Sequence, residues 1–131
     1  MHFFLAAVLL SVSQQGQSME DVVLSVAKKN FSDSTKPFML VIQFKVKEGQ
    51  GPKFEAAMAK AVKETRKEKG NLAYELSKSG STYIVYERWE NLAALGAHLK
   101  TAYFKNAWAE VDPLLESEIE VALFVPVPAG D

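Results

Sequence analysis

The sequence predicts an α+β domain with the ferredoxin-like βαββαβ order, assembled as a dimeric α+β barrel. Three observations predict it. Residues 38–47, 72–78, 82–89 and 118–125 alternate from one side chain to the next, the period of a strand. Residues 52–69 and 92–111 instead repeat their apolar positions at three and four, the period of a helix. The resulting order, strand, helix, strand, strand, helix, strand, is one antiparallel sheet covered by helices on one side. Its other face would carry Met39, Val41 and one row of the last strand. Apolar surface of that extent marks an interface, so two sheets are expected to meet face to face in a homodimer.

The 131 residues fit one domain. A formal net charge of -1 gives no global field to draw in nucleic acid or an anionic membrane. With no cysteine, disulfides, thiolate catalysis and cysteine metal sites are excluded. The two histidines, His2 and His98, are too far apart to pair on a metal, and no glycine-rich phosphate cradle is present.

Three segments follow. Residues 1–18 read as a secretory signal: the apolar run from Phe3 to Leu10 is too short to span a bilayer, and small residues at Ser11, Ser13, Gly16 and Ser18 follow it. No Lys or Arg precedes the run, and the alternative is a short hydrophobic helix docked on the domain or a partner. Export is the expected destination, with the cytoplasm the alternative if the signal is not real. Residues 19–36 form a short helix with Val22, Val23, Val26 and Ala27 as its stripe, then a linker of turn formers; together they look like an appendage. Residues 37–128 are the domain.

In the domain's first strand, Phe38, Leu40, Ile42, Phe44 and Val46 share the core face. Pro52 suits the first position of a helix that runs to about Lys69, with Phe54, Ala57, Met58, Ala61, Val62 and Thr65 inward and Gly70 ending it. Lys60 to Lys69, with Glu64 and Glu68 interleaved, reads as a solvated face. Leu72, Tyr74 and Leu76 share a face of the second strand. Ser79-Gly80-Ser81 then turns the chain back through Thr82 to Trp89. There Tyr83, Val85, Glu87 and Trp89 face one way and Ile84, Tyr86 and Arg88 the other. Asn91 caps a helix whose inner side carries Leu92, Leu95, His98 and Leu99. A further helical piece from about Thr101 has Phe104, Ala107, Trp108 and Val111 on one side, and Asp112-Pro113 breaks it. The strand from Tyr83 and the helix after it deliver Trp89, Tyr86 and His98, so a pocket is expected between them. Glu87 and Arg88 lie on opposite faces and cannot pair directly; Glu87 is expected to pair at the dimer interface.

Tyr-Glu-Arg-Trp-Glu-Asn at a strand end, Leu-x-x-Leu-x-x-His-Leu, then Thr-x-x-Phe resembles the antibiotic biosynthesis monooxygenase domain, and within it the small quinol monooxygenases. Gly49-x-x-x-x-Phe54 and Gly70-x-x-x-Tyr74 fit as well. The resemblance implies a dimeric α+β barrel and oxygenation of an electron-rich aromatic by O2 with no metal, flavin or other cofactor. Such a site needs an apolar slot, a base for a phenolic proton and exclusion of water. His98 has the pKa range of a base. Trp89, Tyr86 and Tyr74 are candidates to wall the slot, and Tyr103 and Gln43 to orient oxygens. A haem-degrading relative uses an Asn on the first strand, where Ile42 and Gln43 stand here, so that activity fits less well. A non-catalytic dimer module that binds a small apolar ligand is the alternative to an enzyme.

Overall fold

The computed structural model describes residues 7–9 and 19–129. Its strands are β1 (Ala7–Leu9), β2 (Phe38–Lys45), β3 (Asn71–Ser79), β4 (Thr82–Trp89) and β5 (Glu120–Phe124). Its helices are α1 (Met19–Asn30), α2 (Gly51–Thr65), α3 (Leu92–Leu99) and α4 (Ala102–Val111). They form one antiparallel sheet in the order β1-β5-β2-β4-β3. The four expected strands are β2 to β5, in the ferredoxin-like arrangement. β1, from within the apolar run read as a secretory signal, pairs with the outer edge of β5; the rest of that run lies outside the described residues.

Register sorts the side chains into two faces. Phe38 lies opposite Trp89, Leu40 opposite Glu87, Ile42 opposite Val85 and Phe44 opposite Tyr83. This row, with Tyr74 of β3 and Val121 and Leu123 of β5, is buried under the helices. The other row pairs Met39 with Arg88, Val41 with Tyr86 and Gln43 with Ile84, all half-buried. A bulge between Asn71 and Ala73 shifts the phase of β3, so Leu72, expected to share a face with Tyr74, is 49% exposed.

The stripe of α1 is as expected, but the helix is no appendage. Val23, Val26 and Ala27 belong to the main core, and α1 packs against β5 and α3. The linker after it is tied down: Phe31 meets Phe38 edge-on at 4.8 Å, and the Ser34 carbonyl accepts the Leu92 N–H at 3.0 Å.

α2 starts with Pro52 in its first turn and buries Phe54, Ala57, Met58, Ala61 and Thr65. It ends at Thr65, four residues before the expected Lys69. The N–H groups of Lys67 and Glu68 bond three residues back, to Glu64 and Thr65, which tightens the chain out of the α-helix. Gly70 completes the turn at φ 93°. A Cβ there would fall 2.6 Å from that of Ala94 on α3. The Gly70 carbonyl also accepts the Glu90 N–H at 2.9 Å. The turn therefore rests directly on the start of α3, which brings Glu68 inward.

Candidate active site

Trp89 ends β4 on the covered face and is 0% exposed. Glu87, two residues earlier, shares that face because strand side chains repeat every second residue. The indole Nε1 donates to Glu87 Oε1 at 2.8 Å. Glu87 is 2% exposed. Burial pushes its pKa up to about 8; the nearby Glu68 charge adds to the rise and the Trp89 bond opposes it. This is not the interface pairing expected for Glu87: the carboxyl is inside the subunit and its donor is its own strand neighbour.

His98 is carried by the last turn of α3. Asn91 caps that helix, its Oδ1 accepting the Ala94 N–H at 2.9 Å. The imidazole is 1% exposed. Its ring centre lies 4.9 Å from that of Trp89, 5.0 Å from Phe104, 5.8 Å from Tyr74 and 6.0 Å from Tyr103. Nδ1 is 2.9 Å from Glu68 Oε2. The Tyr103 hydroxyl donates to that same oxygen and lies 3.2 Å from Thr65 Oγ1. His98 Nε2 is buried without a hydrogen-bond partner. Burial lowers the His98 pKa, and Glu68 opposes that fall. Tyr74 is raised well above the ordinary tyrosine value by burial and then by the Glu87 charge. Two carboxyls, an imidazole and two phenols thus gather in an aromatic interior, where uncompensated polar groups are costly. Perturbed groups concentrated in this way are a mark of functional sites.

Residues 37–110 match the family model described as "Antibiotic biosynthesis monooxygenase". The Bacillus subtilis protein "Putative monooxygenase YcnE" is 33% identical over 88 residues, spanning 63% of this chain and 93% of that protein. The chain belongs to the antibiotic biosynthesis monooxygenase family. Solved structures agree. A Caulobacter crescentus protein described as a putative antibiotic biosynthesis monooxygenase is 25% identical, with TM-score 0.69 over 72% of this chain and 93% of its own. Rv0793 from Mycobacterium tuberculosis, 23% identical, shares the fold with TM-score 0.68 over 73% of this chain and all of its own.

Of the residues chosen from sequence, this family member brings together His98, Trp89, Tyr74 and Tyr103, but packed ring against ring with His98 and Trp89 buried, in place of the pocket expected between strand and helix. It does not bring Tyr86 or Gln43 to them. Both point from the uncovered face, since each is one residue out of phase with the inner row, and Gln43 Nε2 instead reaches Glu120 Oε2 at 3.4 Å. Ile42 holds a buried inner position on β2, and Gln43 cannot substitute for it from the far side. Glu68, expected on a solvated helix face, is instead turned inward onto His98 and Tyr103, and neither Thr65 nor Glu87 was expected to take part in the site. Thr65 was legible as a polar residue on the inner stripe of α2, and Glu87 as a carboxylate on the Trp89 row. Glu68 had only its place two residues before the turn glycine. Among the described residues, no three His, Asp or Glu side chains converge as a metal-binding group.

Proposed function

We propose that this chain is a monooxygenase that oxidises a quinol or phenolic aromatic with O2, using no resident cofactor. One observation carries the reading: His98 Nε2 is buried and unpartnered beside the Trp89 ring. A buried ring nitrogen in that condition calls for an explanation, and a ligand hydroxyl supplies one. The substrate hydroxyl gives its proton to Nε2 and keeps the O–H electron pair. The resulting anion is electron-rich enough to reduce O2. For a quinol, one oxygen atom then enters the ring, the other leaves as water, and a hydroxyquinone remains. Trp89, Phe104 and Tyr74 supply the aromatic walls, and low polarity strengthens each charge interaction inside. Trp89 and His98 lie in ring contact, so a substrate must part them or approach along their edges.

The same proposal includes a homodimer through the uncovered face. Met39, Val41, Ile84 and Tyr86 lie on it, and Phe124 there is 44% exposed. Oxygen uptake with reduced naphthoquinols and catechols tests the activity. The expected result is turnover that falls about 100-fold in kcat/KM for His98→Ala. A panel that consumes no oxygen faster than buffer overturns it. Tight binding of the same panel without turnover would instead make the chain a small-ligand module.

A further inference from the structure

Glu68 lies on no helix or strand; it belongs to the turn between α2 and β3. That turn is not loose. Gly70 is pressed against Ala94, and the Thr65 hydroxyl donates to the Ala61 carbonyl at 2.6 Å. Thr65 is therefore left as an acceptor facing Tyr103, whose single proton goes to Glu68 Oε2. The same oxygen meets His98 Nδ1 at 2.9 Å. The Glu68 side chain is 18% exposed, so one end of this arrangement touches solvent while His98 does not.

A carboxylate only accepts hydrogen bonds, so the nitrogen facing it carries the proton. A neutral imidazole has one N–H, so the other nitrogen, Nε2, holds the bare lone pair. We propose that Glu68 is the positioning residue of this site: it fixes His98 as the Nδ1–H tautomer and balances the imidazolium formed when Nε2 takes a proton. The Tyr103 hydroxyl, donating to the same oxygen, holds the carboxylate in place. The inference rests on the reading of His98 as the base. The proton leaves the substrate oxygen, its electron pair stays there, and the new charge on the ring is matched by a carboxylate already in contact. The groups that bear on this titration are Glu68 from the turn, Tyr103 from α4, Tyr74 from β3 and, bonded to the Trp89 indole, Glu87 from β4.

Long-range 1H–15N NMR of the His98 ring in the full chain, assigned with His98→Ala, tests this without any substrate. In the wild type, Nδ1 is expected to carry the proton and Nε2 none. Glu68→Gln keeps an acceptor and removes the charge, so the tautomer survives while the ring titrates at lower pH. Oxygen uptake then falls about 10–100-fold in kcat with KM nearly unchanged, and the alkaline plateau begins at lower pH. Glu68→Ala loses the tautomer as well. Tyr103→Phe keeps it with a smaller loss. A wild-type ring protonated on Nε2, or a Glu68→Gln ring that titrates as wild type does, overturns the inference. An Nδ1–H ring in a protein that oxidises nothing would retain the placement of Glu68 and remove the oxidation reading. Loss of turnover in His98→Ala with an Nε2–H wild type would remove both the placement of Glu68 and the role of Nε2 as base, and leave only that oxidation needs His98.

Discussion

Each face of the sheet carries some side chains that the other would be expected to hold. The covered face encloses Glu87, with His98 and Glu68 brought against it from α3 and the turn after α2. The uncovered face presents Met39, Val41, Ile84 and Phe124. A single strand, β4, serves both, with Glu87 and Trp89 on one side and Ile84 and Tyr86 on the other. Burying ionisable groups opposes folding, and wetting apolar ones does too, unless each has an occupant not seen in the isolated chain. On the function proposed above, the inner cluster is accounted for by a reacting molecule and the apolar part of the outer surface by a second subunit.

The largest effect is expected where the outer face is broken. Val41 stands between Tyr86 of β4 and Ala122 of β5, at the centre of that surface. Val41→Glu places a charge in the proposed interface and is expected to weaken the dimer about 1,000-fold, roughly 4 kcal/mol. Sedimentation measures it, and an unchanged circular dichroism spectrum confirms that the subunit still folds. A variant that stays fully dimeric would mean the subunits join elsewhere.

The inner face is probed by Glu87→Gln, which keeps an oxygen for the Trp89 indole and removes the charge. The Glu87 carboxyl holds its proton up to about pH 8 in the fold, against an ordinary value of 4.5. The folded state thus binds the proton more tightly than the unfolded chain. That stability is fully present below about pH 4.5 and is lost as pH rises toward 8. The Gln variant is expected to be roughly 2–4 kcal/mol more stable than wild type at pH 8 and to equal it near pH 4. His98 works in the opposite sense: its lowered pKa withdraws stability as pH falls below about 6.5. Urea melts across this range separate the two. Equal midpoints for wild type and Glu87→Gln at pH 8 would show that Glu87 is solvated at no cost.

Period-two alternation made both faces of β2 and β4 legible in sequence, and the capping residue and inner stripe of α3 as well. Alternation assigned Glu87 its face correctly. Its residue type argued against burial, because the donor that satisfies it, the Trp89 indole, depends on a rotamer and not on spacing. Glu68 was hidden for a different reason. Charges at helical spacing continue through residues 66–69, and the turn that redirects them depends on the contact of Gly70 with Ala94, 24 residues away in sequence. The packing of α1 was concealed by its linker: turn formers at 30–36 imply freedom, while Ser34 and Phe31 are anchored by partners on other elements.

The smallest effect is expected at the start of α3, and it sharpens what holds the inner cluster together. Asn91→Ala removes the cap on a helix of eight residues and is expected to cost about 1 kcal/mol, a fall in Tm of about 3–5 °C. The Leu92 N–H keeps its bond to Ser34, so the first turn is loosened and not released. His98 lies at the far end of the helix, gripped by Glu68 and packed on Trp89. Its ring resonances should therefore stay where they are in wild type while hydrogen exchange quickens at Ala94. If the His98 signals move together with the cap, α3 behaves as one lever pivoted at Asn91. The geometry of the imidazole would then depend on the helix entry and not on the carboxylate beside it.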